Sequence, residues 1–255
     1  MDAATPIGVI LGFVVIIVAN IMEGGHPTSL LLLPPIMLVL LTTILVTIAG
    51  GTMADAKKAV GSVRRAFSGK VQPAGDLVPA VITLAEKARR EGLLALEDSL
   101  RDIDDPFLVK GVTMAIDGTD PEELRDILEA ELMAKKAEHK HAAKFFIDAG
   151  GYSPTIGIIG TVMGLVHVLE NLSTPEKLGP LIAGAFVATL WGVMSANVLW
   201  LPLGNRLRRL GELDTARMEL AIEGVAAIQS GANPRLVAEK LRSLLPSDQQ
   251  VTEAA

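Results

Sequence analysis

Charge is missing from four long stretches of this chain and plentiful elsewhere. Pro6 to Met22, Leu30 to Thr52, Ser153 to Leu169 and Leu181 to Gly204 contain no Asp, Glu, Lys or Arg. A helix needs about 20 apolar residues to cross a hydrocarbon core of ~30 Å, so each stretch is expected to span a membrane. The first and third are short and lean on their flanks for full length. Between the second and third, polar positions return with apolar ones at helical intervals. Ala54–Phe67 predicts an amphipathic helix closed by Ser68-Gly69. Asp76–Ile103 predicts another, with Leu77, Val81, Leu84, Ala88, Leu93 and Leu96 at helical spacing. Pro106 opens a short helix after Asp104-Asp105. Asp120-Pro121-Glu122-Glu123 combines an N-cap, a first-turn proline and first-turn acids, the start of a long helix running toward Gly150-Gly151. Glu212 to Leu245 is again amphipathic, interrupted at Gly231-Ala232-Asn233-Pro234, and a polar tail begins at Pro246. No segment carries a strand pattern. The expected fold is an all-α membrane protein with four transmembrane helices and a helical cytoplasmic domain between the second and third. Its segments are 1–52 (helices 1 and 2), 53–149 (cytoplasmic domain), 150–204 (helices 3 and 4) and 205–255 (C-terminal helix and tail).

Orientation follows from the basic residues beside the spans. Lys57, Lys58, Arg64, Arg65 and Lys70 follow the second, and Arg206, Arg208 and Arg209 follow the fourth. The short connections Glu23–Ser29 and Asn171–Pro180 carry one basic residue, Lys177. Both termini and the middle domain are therefore expected in the cytoplasm. Met-Asp-Ala-Ala-Thr-Pro lacks the basic start of a secretory leader, so the first apolar run reads as a retained span.

Composition narrows the chemistry. Half of the 255 residues are hydrophobic and 20% are charged, with a mean hydropathy of +0.43, so polar content is segregated rather than absent. A net charge of −6 offers no basic face for nucleic acid. The chain has no cysteine and four histidines, which excludes thiol chemistry and leaves few metal ligands. Glu138-His139-Lys140-His141 places two histidines at i,i+2, which do not share a helix face, so a solvated surface is the expectation. No metal and no cofactor are expected.

A carboxylate or amine at bilayer depth is costly and usually marks an ion path. None of the four spans has one, so any titrating carboxylate must come from a partner helix. The last two spans are nevertheless rich in small and hydroxyl residues: Gly157, Gly160, Thr161 and Gly164 in one, Gly184, Ala185, Ala188, Thr189, Gly192 and Ser195 in the other. Such residues allow close helix approach. Packing within the hairpin and packing around a foreign helix both account for them. Gly157-Ile-Ile-Gly160 is not a nucleotide loop, because it lies inside a span. Ser153-Pro154 reads as N-cap and first-turn proline of the third span, whereas Pro202, late in the fourth, is expected to kink or end it.

Three separated motifs resemble the MotA family of flagellar stator subunits, with the four-span layout agreeing along nearly the whole chain. They are GGYSPTIGIIGTVMGLVHVLEN with the span that follows it, ARREGLLALED in the cytoplasmic domain, and GANPRLVAEKL near the C-terminus. The resemblance implies a homo-pentamer in the bacterial inner membrane around a dimer of a MotB-like single-span partner. That partner carries the ion-binding Asp, and ion flow past it turns the ring against the flagellar rotor switch protein. By motif, Arg89 and Glu97 resemble rotor-contacting charges, with Arg90 as the adjacent alternative; eight residues apart on a helix, Arg89 and Glu97 are expected on one side. Pro154 and Pro202 resemble the family's ion-coupling prolines, and Thr161 and Thr189 its pore-lining hydroxyls. Thr161 resembles sodium-using relatives, whereas GLVH ending in His167 favours protons. The ExbB/TolQ group, with three spans, is the nearest rival. A passive scaffold is a second and a transporter a third, while no nucleophile–base set suits an enzyme.

Overall fold

The computed structural model describes residues 4–246. Among them are nine α-helices and no strand: α1 (Ala4–Met22), α2 (Leu33–Ala49), α3 (Met53–Ser68), α4 (Val78–Glu91), α5 (Pro106–Ile116), α6 (Pro121–Glu170), α7 (Pro175–Met194), α8 (Leu201–Gln229) and α9 (Pro234–Ser243). Short 3-10 segments precede α2, α4 and α5, and a π-helical turn, Ser195–Trp200, joins α7 to α8. The chain divides into two compact units, residues 4–70 with 139–209 and residues 71–138 with 210–246.

Among the described residues three helical stretches are long and apolar enough to cross a membrane: Ala4–Met22, Pro121–Glu170 and the continuous Pro175–Gln229. The second uncharged run gives a shorter helix than its length suggested. Pro34 and Pro35 suit only a first turn, so Leu32 stays extended and α2 starts at Leu33. At the other end the chain leaves the helix at Gly50, and α2 has 17 residues, about 25 Å at 1.5 Å per residue. Thr52 then starts α3 with a capping box: its side chain accepts from Asp55 N–H, and the Asp55 carboxylate accepts from Thr52 N–H. The Thr52 hydroxyl and amide beside Asp55 hold its carboxyl below the usual range.

In the unit containing these helices, Ala59 and Ala66 of α3 pack with Ala143, Phe146 and Ala149 of α6 and with Trp200, Leu203 and Leu207. In the other unit, Val81, Leu84, Leu108, Val112, Leu128, Val225 and Leu241 are fully buried from α4, α5, α6, α8 and α9. Asp105 caps α5 through Leu108 N–H at 2.8 Å, and its other oxygen accepts from Arg217 Nε at 2.6 Å. Arg217 also donates to the carbonyl of Pro73 at 3.0 Å, so one guanidinium joins three segments.

The expected Asp76–Ile103 helix is broken. Gly92 adopts φ +85°, which glycine tolerates and other residues rarely adopt, and Leu93–Asp102 continues in 3-10 turns. In contrast, α6 runs through Gly150-Gly151 without interruption. Its start is as expected: Asp120 accepts from the amides of Glu122 and Glu123.

Candidate functional site

The C-terminal part of α6 and the whole of α7 form an antiparallel hairpin with the backbones almost touching. A Cβ on Gly157 would stand 2.9 Å from the Ala188 carbonyl oxygen, and one on Gly192 would stand 2.8 Å from the Ser153 carbonyl oxygen. A Cβ on Gly164 would stand 2.9 Å from Ala185 Cα, and one on Gly160 2.7 Å from the Ala188 methyl. Of the two accounts of these small residues, packing within the hairpin is therefore the one the structure realises for them. A Cβ on Gly184 would meet nothing within 4 Å, so part of the stripe faces outward.

That close approach brings Thr161 and Thr189 together. Their hydroxyls form a short hydrogen bond, and Thr161 Oγ1 also lies 3.0 Å from the Ala185 carbonyl and 3.2 Å from that of Gly157. A hydroxyl has one proton and two lone pairs. The pair thus keeps acceptor capacity in an otherwise apolar hairpin, and both side chains are half-buried rather than sealed. Such hydroxyls can donate to or accept from a polar group brought alongside by another helix.

About two turns further along the hairpin, Ser153 and Ser195 are both buried and hydrogen-bond through their hydroxyls at 2.7 Å. Sequence reading missed this link, although Ser153 lies four residues before Gly157 and Ser195 three after Gly192, the spacing that an antiparallel contact would align. It also misplaced Ser153 and Pro154 at a helix start. Both lie inside α6, so the proline sits within a continuous helix instead of opening one.

Pro202 does not end its helix either. The preceding turn widens into a π-turn over Ser195–Trp200, where Leu201 N–H donates to the carbonyl of Ala196, five residues back. A proline ring clashes with the carbonyl four residues earlier and lacks the N–H to bond it. One extra residue in the turn relieves that clash, and α8 continues to Gln229.

Arg89, Arg90 and Glu97 all lie exposed in the unit of residues 71–138 and 210–246. The arginines occupy the last turn of α4, where cations suit the carbonyl end of the helix dipole. Arg90 makes a 3.8 Å ion pair with Glu91. Because Gly92 breaks the helix between them, helical spacing does not relate the sides on which Arg89 and Glu97 lie.

An ion network absent from the sequence reading crosses the same unit. Glu223 of α8 accepts from Arg125 of α6 and Lys240 of α9. Lys240 and Arg125 hold the Glu223 carboxyl below its ordinary range against an opposing desolvation. His139, expected on a solvated surface, is half-buried with Nδ1 3.2 Å from Arg65 Nη1. Among the described residues no three His, Asp or Glu side chains gather as a metal site.

Residues 99–220 match the model of the MotA/TolQ/ExbB proton channel family. Motility protein A of Bacillus subtilis is 36% identical to this chain over 97% of it and 92% of the relative. The chain belongs to the MotA/TolQ/ExbB proton channel family. Chemotaxis protein PomA of Vibrio alginolyticus is 31% identical across 99% of both chains. Among solved structures, the flagellar MotAB stator complex from Bacillus subtilis contains a chain that superposes with a TM-score of 0.91 at 36% identity, covering 99% of this chain and 100% of that one. MotAB of C. jejuni superposes with a TM-score of 0.92 at 30% identity over the full length of both. Members of a proton channel family act by moving ions, so this chain is a membrane protein and not an enzyme.

Proposed function

We propose that this chain is a flagellar stator subunit, five copies of which surround a dimer of a MotB-like single-span partner. Ions descending their gradient bind the partner's Asp and rotate the ring against the rotor switch protein. The observation carrying this reading is likeness along the entire chain to a subunit of a MotAB stator complex, at a TM-score of 0.91 and 36% identity. The ExbB/TolQ alternative is disfavoured because that likeness includes α1 and α2, the hairpin a three-span protein would not have in this form.

In this reading α1, α2, the last third of α6 and α7 with the π-turn cross the inner membrane, and both termini face the cytoplasm. Residues 53–149 and 205–255 lie on the cytoplasmic side. Thr161 and Thr189 line the ion path, where their hydroxyl pair meets the partner's carboxylate. Pro154 and Pro202 couple ion transfer to helix motion, supported by the place of Pro154 inside α6 and of Pro202 directly after the π-turn. Arg89, Arg90 and Glu97 contact the rotor, supported by their exposure. The proton is the favoured ion. A potential of 100 mV gives about 2.3 kcal/mol per charge, so torque builds from repeated transfers.

Native mass spectrometry of the chain purified with its partner tests this assembly. Five copies with two of the partner are expected. A stable monomer or symmetric dimer under the same conditions contradicts it.

A further inference from the structure

Helix α3 follows α2 after three residues and has two unlike faces. On one, Ala59, Val63, Ala66 and Phe67 join the packed core beside Ala143 and Leu207. On the other, Met53, Lys57, Val60, Gly61 and Arg64 recur at helical intervals and are all exposed. Val60 is 73% exposed and Met53 62%, and a Cβ on Gly61 would meet nothing within 4 Å. Lys57, Lys58 and Arg64 are exposed too, and none of the three makes an ion pair among the described residues.

A face bound for bulk water gains nothing from a valine and a methionine this open. A face bound for a second copy of an apolar kind would have to desolvate three cations that no close ion pair neutralises. The headgroup layer suits both halves. Aliphatic groups enter the acyl boundary while lysine and arginine stems reach back to phosphates. We propose that the outward face of α3 binds anionic phospholipid headgroups, with Lys57, Lys58 and Arg64 on the phosphates and Met53 and Val60 in the acyl boundary. The proposal rests on the reading that α2 crosses the membrane with α3 on its cytoplasmic side. Each cation held at an anionic surface favours the bound state about fivefold, so the three together favour it about a hundredfold.

The chain has no cysteine, so Val60→Cys offers a single labelling position. The experiment places a fluorophore there in the full complex with its partner, in nanodiscs of phosphatidylcholine with or without phosphatidylglycerol, and quenches it with headgroup-nitroxide lipid. Strong quenching is expected with phosphatidylglycerol and several-fold weaker quenching without it. Lys57→Gln/Lys58→Gln/Arg64→Gln in the anionic discs should match the neutral-disc value, while arginine at both lysine positions should keep full quenching. A probe at Leu94→Cys, 76% exposed in the other unit, should stay unquenched. Quenching at position 60 that is absent, or indifferent to lipid charge and to the triple variant, overturns the proposal. Shielding of that probe from both nitroxide lipid and aqueous iodide puts a second copy there and overturns it as well. Impermeant maleimide separates this from the topology. Labelling of the Val60→Cys variant from outside intact cells overturns the topology whatever the quenching. Labelling only in inverted vesicles, without quenching, overturns the lipid contact alone.

Discussion

Gly192→Ala should loosen the α6–α7 hairpin at the point where its backbones are closest. The new methyl would stand 2.8 Å from the Ser153 carbonyl oxygen and 2.9 Å from Gly157 Cα. Carbon contacts are optimal near 3.5–4.0 Å, so the helices must part by roughly 0.7–1 Å. Both obstacles are backbone, which cannot rotate aside. Alanine improves helix propensity by up to about 1 kcal/mol, but overpacking of this kind costs about 1–3 kcal/mol, and the second effect should prevail. The Thr161–Thr189 hydroxyl bond, one and a half turns or less away on each helix, should stretch with it. Gly184→Ala is the internal control: its Cβ meets nothing, so the isolated chain should lose no stability. Thermal unfolding in detergent should fall by roughly 2–10 °C for Gly192→Ala and not for Gly184→Ala. In the cysteine-free background, oxidative cross-linking of Thr161→Cys with Thr189→Cys should slow several-fold when Gly192→Ala is added. Equal unfolding temperatures and equal cross-linking rates for the two alanine variants would refute the close packing and the hydroxyl pair that depends on it.

Pro202→Leu restores an N–H and removes the ring clash, letting the π-turn relax to α and turning everything beyond it by about 100° about the helix axis; swimming should be lost while immunoblots show normal membrane levels, and normal torque would make the proline dispensable. Pro154→Ala should raise thermal stability, since an interior proline costs a helix about 3 kcal/mol, yet reduce swimming speed on the same assay. Arg89→Glu with Glu97→Lys should abolish swimming without affecting partner pull-down, single neutralisations being mild because these charges are exposed and screened; full motility of the double variant would remove them from the rotor contact. Glu223→Gln should destabilise the unit of residues 71–138 and 210–246 by about 1–2 kcal/mol at neutral pH. Because the folded-state pKa of Glu223 is lowered, its contribution is complete above the unfolded value of about 4.3 and fades as pH falls through the depressed one. The gap between variant and wild type in denaturant melts should therefore close under acid, and a gap that is constant with pH would contradict the network.

Local signals were legible where a single residue decides the conformation. Asp120-Pro121 starts α6, Gly231-Ala232-Asn233-Pro234 interrupts the last amphipathic stretch between α8 and α9, and Ser68-Gly69 closes α3 as read. Failures came where packing outweighs propensity. Gly150-Gly151 and Pro154 look like breaks, yet α6 continues because neighbouring helices bury it on both sides of that point, with Ala149 and Ser153 fully enclosed. Gly92 ends a helix that apolar spacing alone would extend, since Leu96 keeps the rhythm and is buried by 3-10 turns instead. Thr161 and Thr189 stood out as hydroxyls among apolar neighbours, but period alone cannot say whether a small face meets its own hairpin or a foreign helix. The π-turn before Pro202 leaves no mark in residue type. Glu223, Arg125 and Lys240 are 98 and 17 residues apart in pairs, distances at which charge pattern carries no pairing information.

In the proposed function, ion flow through this subunit and its partner turns the flagellar rotor. Its most direct test is the rotation of tethered cells that lack their own stator genes and express this chain with its MotB-like partner, while the ion gradient is stepped down by an uncoupler. Rotation that appears only with both proteins, slows in step with the gradient and stops when it is gone is the predicted result. Paralysed cells with both proteins at normal membrane levels, or rotation indifferent to the gradient, would contradict this function.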